Sequence, residues 1–92
     1  MHVVICYDIP LDKRRTKLFK GLKGFIQPVQ KSVFEGYLPR RRYGALTELI
    51  RQTVDHEEDT VRIYHITRGA EGLTELIGRS EAVTTGEEDS IL

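Results

Sequence analysis

The chain has 92 residues, of which 39% are hydrophobic and 30% charged, and its 14 basic and 14 acidic residues give a net charge of zero. A single domain of this size buries only about 60% of its unfolded surface, so association with a second copy would stabilise it. No segment approaches the ~18 consecutive apolar residues of a membrane span, and Cys6 is the only cysteine, so a membrane protein and a disulfide scaffold are excluded and a soluble cytoplasmic protein is predicted.

The first predicted element is a buried strand that ends at Asp8. Residues 3–7 are rich in β-branched and aromatic side chains, which is typical of strands inside a sheet. Pro10 then suits the start of a helix, because its missing N–H is not needed there. Leucine and phenylalanine recur at helical spacing after it, which predicts an amphipathic helix over roughly residues 11–24.

The middle of the chain alternates in the manner of extended structure. Over residues 28–38 the apolar character changes face near Val33 and Phe34, which predicts a bulge or a break into two strands. A second amphipathic helix is predicted after Pro39, and a further strand over residues 61–66. The order strand, helix, two strands, helix, strand matches a ferredoxin-like βαββαβ sandwich, an α+β fold with both helices on one face of an antiparallel sheet.

The opposite face of this sheet is predicted to be bare and hydrophobic unless a second copy covers it, which again favours a homodimer. Residues 1–78 are predicted to form the ferredoxin-like domain. Residues 79–92 are predicted to form a C-terminal tail strand that can pair with the partner protomer.

Basic residues are concentrated in the first half of the chain. Residues 1–43 hold ten Lys or Arg against three Asp or Glu, whereas residues 44–92 hold four against eleven, which gives charges of +7 and −7. Two explanations stay open. The halves are ordinary solvated faces that attract each other, or the first half presents a basic surface to a polyanion such as nucleic acid.

Asp8 is the leading candidate for chemistry, since it stands where an apolar strand ends. A hard divalent cation such as Mg²⁺ or Mn²⁺ prefers carboxylate oxygens, but one carboxylate alone makes a poor site. Two copies that meet about a two-fold axis near the ends of their first strands would bring two Asp8 side chains to one ion. The alternative is that Asp8 caps the helix that starts after Pro10.

Basic and polar residues are predicted to surround the exit of the first strand, where they would neutralise phosphates with an affinity that falls as salt rises. This candidate nucleic-acid-binding set comprises Arg14, Arg15, Lys17, Lys31, Ser32, Arg40, Arg41 and Arg42. The last three either form a solvated first turn of the second helix or, by opposing its dipole, favour an anionic partner. Most aromatic residues alternate with polar neighbours in strands and are predicted to lie in the core.

Three blocks of sequence together resemble the family of CRISPR-associated protein 2, the small protein of the spacer-acquisition machinery. They are the run VICYDIP at residues 4–10 followed by DKRR at residues 12–15, the run VQKSVFEG at residues 29–36, and the run DTVRIY at residues 59–64. The blocks occur in the order that the family has.

The resemblance implies a ferredoxin-like homodimer in which the two Asp8 side chains face each other across the axis. Family members have been described as Mg²⁺-dependent endonucleases on RNA or double-stranded DNA, and also as non-catalytic bridges between integrase dimers that carry new spacer DNA. As a nuclease, the dimer would use Asp8 as catalytic residue and metal ligand. Arg15 and Lys17 match basic helix positions and Phe34 matches an aromatic position, so these would contact or position the strand. Pro28 departs from the family pattern, because many members have a basic residue there.

Overall fold

Six elements follow one another in the described part of the chain, which comprises residues 1–67, Glu75 and Ile77 of the computed structural model. They are β1 (His2–Asp8), α1 (Asp12–Leu22), β2 (Gln27–Gln30), β3 (Val33–Tyr37), α2 (Arg40–Thr53) and β4 (Thr60–Ile66). The predicted order of elements is confirmed. The predicted tail strand at residues 79–92 and the predicted domain end at residue 78 lie outside the described residues. Among the described helices, none is long and apolar enough to cross a bilayer.

Strand β1 lies at the centre of a four-stranded sheet, between two antiparallel neighbours. The strand order is β2-β3-β1-β4, and the register pairs Cys6 with Val33 on β3 and with Arg62 on β4. Buried side chains of both helices join those of β1 in one core cluster, so the helices cover the same face of the sheet. This is the predicted ferredoxin-like α+β arrangement.

Alternate residues of β1 point into this core. Val3 and Ile5 are fully buried and Tyr7 is 6% exposed. The remaining core side chains come from both helices, from β3 and from the segments next to the helices: Ile9, Leu18, Phe19, Leu22, Ile26, Phe34, Leu38, Leu46 and Ile50. Burial of each such side chain contributes about 1.5–3 kcal/mol, so β1 is held firmly over its length and the position of Asp8 is fixed with it.

The predicted break between β2 and β3 is confirmed and falls at Lys31 and Ser32, slightly before the predicted position. Ser32 has a φ of 64°, the left-handed conformation that reverses the chain here. The register of β2 against β3 also shifts between Pro28 and Gln30. Strand β2 is at the edge of the sheet, where a proline removes no hydrogen bond from a central ladder.

The open face of the sheet, which the helices do not cover, is not the bare hydrophobic surface predicted above. Val4 and Cys6 of β1 are partly exposed there, and Val33 and Ile66 of the neighbouring strands add apolar surface. Polar and aromatic side chains lie among them: Glu35, Tyr37, Thr60, Arg62 and Tyr64. His2 Nε2 lies 2.8 Å from Glu35 Oε2, and the His2 ring stacks on Tyr37 at 4.4 Å. A partner that packs on this face would therefore meet both apolar and polar side chains, and contacts with the polar ones would fix its orientation.

Candidate functional site

Asp8 is the last residue of β1, and its side chain lies exposed on the open face of the sheet. Within residues 1–67 its carboxylate has no hydrogen-bond or ion-pair partner. The helix-cap alternative is wrong, because α1 begins at Asp12 with Leu11 at its N-cap and no side chain caps it. The sheet thus fixes the backbone of Asp8, and its exposed carboxylate keeps its lone pairs free.

A cleft of about 320 Å³ lies on the β3 side of Asp8 and is lined by Asp8, Ile9, Arg15, Lys31 and Ser32. Arg15 reaches it from the first turn of α1. Its Nη1 donates a hydrogen bond of 2.8 Å to the carbonyl oxygen of Ile9, and its Nη2 pairs with the Asp12 carboxylate. These two bonds hold the guanidinium beside the cleft, while the exposed Lys31 adds a second cation from the β2–β3 turn.

Tyr7 precedes Asp8 on β1, is buried and stays neutral. Burial raises the pKa of Tyr7 to about 12, against the opposing effects of a hydrogen bond with Ser32 and the charge of Arg15. The Tyr7 N–H also donates to the carbonyl oxygen of Ser32 at 3.1 Å, which ties the β2–β3 turn to the end of β1. Tyr7 therefore supports the cleft wall and does not serve as a base near neutral pH.

A second cleft, of about 210 Å³, lies on the β4 side of Asp8 and is lined by Cys6, Tyr7, Asp8, Thr60 and Arg62. Arg62 is a site residue that the sequence pattern did not single out. The signal was present, because Arg62 is a charged residue between Val61 and Ile63 in an alternating strand, which places it on the open face with Asp8.

A single chain does not supply a metal site among its described residues, where no three His, Cys, Asp or Glu side chains come together. Asp8 alone offers two carboxylate oxygens, fewer than Mg²⁺ needs even with waters in its shell. Two Asp8 carboxylates and several waters do suit this ion. The donor set therefore fits a divalent cation only in a dimer that brings both open faces together at their β1 ends.

Arg14 does not fit the nucleic-acid-binding role predicted for it. Its Nε and Nη2 donate to the two oxygens of Asp59 at 2.8 and 3.0 Å, and its Nη2 also donates to Glu58 at 3.2 Å. The Asp59 side chain is fully buried. Because the guanidinium is already satisfied by two carboxylates, Arg14 joins α1 to the loop before β4 and is unsuited to bind phosphate.

The Arg14–Asp59 pair predicts an acid-sensitive fold. The hydrogen bond from Arg14 lowers the pKa of the Asp59 carboxyl, as does the Asp55 N–H, while burial opposes them. A group whose pKa is lower in the folded state stabilises the fold above its unfolded pKa of about 3.9 and loses this contribution as pH falls through its folded pKa. Asp59→Asn should lower Tm by at least about 5 °C at pH 7.

The measurement is thermal unfolding of wild type and Asp59→Asn from pH 7 to pH 2. The difference in Tm should begin to shrink below about pH 4, where the carboxyl of the unfolded wild type becomes protonated, and should shrink further as pH falls through the lowered pKa of the folded state. Glu57→Gln is the matched control, because Glu57 is an exposed carboxylate in the same loop. A difference in Tm that stays constant across this range would contradict the ion-pair explanation.

The predicted position of three further arginines is also wrong. Asp8 is not surrounded by Arg40, Arg41 and Arg42. They follow Leu38, whose N–H donates to the carbonyl oxygen of Met1, so they lie at the start of β1. The seven residues of β1 separate them from Asp8, a distance of about 20 Å. Arg42 is also engaged, since its Nη2 donates to the carbonyl oxygen of Gly24 at 2.7 Å and it stacks over Phe25 at 4.5 Å.

Phe34 does not contact the nucleic-acid strand as the family resemblance implies. It is fully buried and packs edge-on against Phe19, with ring centroids 5.3 Å apart. No base can stack on a ring that is enclosed on all sides, so Phe34 belongs to the core. Lys17, by contrast, is exposed on α1 as its predicted role requires.

Comparisons with known proteins agree with one another. Residues 1–72 match the family described as CRISPR associated protein Cas2. A protein of Thermus thermophilus named CRISPR-associated endoribonuclease Cas2 is 41% identical over 78 residues, which covers 85% of this chain and 83% of that protein. A crystal structure of a hypothetical protein from Thermus thermophilus has a TM-score of 0.76 at 36% identity, covering 87% of this chain and 93% of that one. The crystal structure of Streptococcus pyogenes Cas2 has a TM-score of 0.74 at 25% identity, covering 85% of this chain and 100% of that one.

Proposed function

The chain belongs to the family of CRISPR-associated protein Cas2, and from this premise we propose that it is a divalent-metal-dependent endonuclease acting in the cytoplasm in the spacer-acquisition step of CRISPR antiviral defence. Its active form is a homodimer that hydrolyses phosphodiester bonds of RNA or DNA. Relatives that carry the name endoribonuclease support the nuclease activity. They support RNA as the first substrate to test.

The observation that carries the proposal is the unpartnered Asp8 carboxylate at the exposed end of β1. The Asp8 carboxylate makes no bond within residues 1–67, so it contributes no visible contact to the fold and both its oxygens are available to a ligand. Asp8 lies on the face where a second copy would pack. A two-fold axis near the end of β1 would place two such carboxylates together, as one Mg²⁺ or Mn²⁺ requires.

Each residue of the β3-side cleft has a role in this proposal. The two Asp8 side chains would hold the ion, which when bound lowers the pKa of a water and offsets charge on the phosphodiester. Arg15, held by Ile9 and Asp12, would bind a non-bridging phosphate oxygen with the one remaining N–H on each of Nη1 and Nη2. Lys31 and Lys17 would attract neighbouring phosphates, and Ser32, which lines the cleft and is hydrogen-bonded to Tyr7, would shape the wall beside them.

The test is cleavage of labelled single-stranded RNA and duplex DNA by the purified dimer with Mg²⁺, with Mn²⁺ and with EDTA. We expect cleavage with either ion and none with EDTA. Calorimetric titration with Mn²⁺ should give one ion per two chains, because one carboxylate from each chain is needed. Cleavage that persists in EDTA, or one ion per chain, would contradict the paired site.

A second function is favoured by a separate observation. Arg40 and Arg41 are exposed and lie about 20 Å from Asp8, and within residues 1–67 neither has an ion-pair partner. Cations that far from the carboxylate suit a non-catalytic adaptor that holds duplex DNA and bridges integrase dimers. For an adaptor, Asp8→Ala leaves spacer acquisition unchanged, whereas reversing the charges of Arg40 and Arg41 weakens duplex binding.

A further inference from the structure

A tyrosine and a histidine meet on the helical side of the sheet, at the end opposite to Asp8. The Tyr43 hydroxyl lies 3.2 Å from His65 Nε2, and the two rings pack edge-on with centroids 5.2 Å apart. His65 is exposed and pairs in register with Val3, whose side chain is in the core, so His65 projects to the side that the helices cover. The proposed dimer packs the open faces together, so this side remains accessible in it.

Arg40 adds a permanent positive charge next to this pair. It precedes Tyr43 by three residues in α2, which places the two side chains on one face of the helix about one turn apart. Arg40 is exposed, and within residues 1–67 it has no ion-pair partner. The first turn of α2 holds no acidic residue, and Glu48, further along the helix, is paired with Arg51. Among the described residues, no carboxylate therefore neutralises this corner of the molecule.

The Tyr43–His65 hydrogen bond controls how many donors face a ligand. In the neutral pair, one ring N–H and one O–H are present, and one of these two is used in the bond between the side chains. When His65 takes up a proton, its Nε2–H donates to the Tyr43 oxygen, which leaves both the Nδ1–H and the Tyr43 O–H for a ligand. Protonation therefore adds one donor and one positive charge, in the pH range where histidine changes charge.

The surroundings of His65 supply no counter-ion for this charge. Of the elements packed against it, α2 contributes Tyr43 and, one turn away, Arg40, while β1 contributes the apolar Val3. On β4 itself, the residue that shares its face is the apolar Ile63. Within residues 1–67, the anion that matches a protonated His65 has to come from a ligand.

We propose that Arg40, Tyr43 and His65 form a phosphate subsite for duplex DNA that binds more tightly when His65 is protonated. This inference rests on the adaptor function proposed above, because it takes a duplex as the ligand. Arg40 and the protonated His65 would offset the phosphate charge, and the Tyr43 hydroxyl would donate to one of its oxygens. Duplex binding would then respond to pH, which arginines alone do not explain because they stay charged throughout.

The test is binding of a short fluorescein-labelled DNA duplex in EDTA and a phosphate-free buffer, at several salt concentrations and at about pH 8 and about pH 5.5. Wild type should bind about three- to tenfold more tightly at the lower pH and low salt. The slope of log Kd against log salt should also be steeper there, by about 0.9 for each His65 that meets a phosphate. His65→Gln keeps a neutral polar side chain and should show neither change.

His56→Gln is the matched control, because His56 is an exposed histidine just beyond the far end of α2, where its Nε2 lies 3.1 Å from the carbonyl oxygen of Arg51. It should keep the response of wild type to pH. Tyr43→Phe removes the hydroxyl and keeps the ring, so it should weaken binding at about pH 5.5 without changing the salt slope. Thermal unfolding should show that every variant is folded, since none of these changes removes a core side chain.

The failures are distinguishable. If wild type binds the duplex equally well at both pH values, if His65→Gln responds to pH as wild type does, or if Tyr43→Phe binds as wild type does, the subsite is overturned while the adaptor function stands. If wild type does not bind the duplex in a salt-dependent way at either pH, the adaptor function fails and the subsite fails with it.

Discussion

Replacing Asp8 with Asn is expected to reduce the metal-dependent cleavage rate by at least about a hundredfold, because the amide removes the charge that holds the ion. The fold should be unaffected. Asp8 is exposed at the end of β1, and within residues 1–67 it has no partner to lose. Single-turnover cleavage of labelled RNA, with urea unfolding run in parallel, measures both effects.

Glu48→Gln is the control for a non-specific loss of negative charge, since Glu48 is an exposed carboxylate on α2, on the helical side of the sheet. It should retain the wild-type rate. If Asp8→Asn cleaves as wild type does, the paired-carboxylate nuclease is rejected and the adaptor function becomes the better account.

Mixed dimers test the pairing itself. When wild type and Asp8→Asn chains are unfolded together in equal amounts and refolded, random association leaves about a quarter of the dimers with two carboxylates. If the ion needs both, activity per wild-type chain falls to about half of the unmixed value, whereas independent sites would leave it unchanged. This readout depends on the partner and so distinguishes a shared site from two separate ones.

The elements of the fold could be predicted because their signals are local. A run of β-branched residues places β1 and puts Asp8 at its end, and helical spacing identifies Leu46 and Ile50 as the buried stripe of α2. Buried apolar side chains recur every three to four residues in a helix and every second residue in a strand, about the repeat of each element. Their burial can therefore be deduced from a short window of sequence. The position of Asp8 at the end of β1 can therefore be deduced from the sequence.

The partners of the charged residues could not be predicted, because they depend on contacts between distant parts of the chain. Arg14 meets Asp59 across 45 positions, and nothing near Arg14 in the sequence indicates this. Arg40 is far from Asp8 only because an antiparallel topology returns the chain to the start of β1. Arg62 joins the site for the converse reason, since β4 pairs with β1 and brings it beside Asp8.

The largest effect on stability is expected for Phe34→Ala, which should cost about 3–5 kcal/mol. Phe34 is fully buried, and its ring contacts Phe19 edge-on and lies 6.3 Å from the Tyr7 ring. Its removal leaves a cavity between α1 and the sheet that neighbouring side chains can only partly fill. Domains of this size are stable by about 5–15 kcal/mol, so the variant should be close to unfolding. Urea unfolding at fixed chain concentration measures the loss.

Tyr37→Ala is the matched control, because Tyr37 is an aromatic residue of the same strand but is 66% exposed and, within residues 1–67, stacks on His2 alone. It should cost less than about 1 kcal/mol. Phe34→Leu separates core packing from nucleic-acid contact, since leucine keeps an apolar side chain in the core but offers no ring to a base. If Phe34→Leu stays folded and binds RNA as wild type does, Phe34 acts through the fold alone. A stable Phe34→Leu that lost RNA binding would restore the aromatic contact that the family resemblance implies.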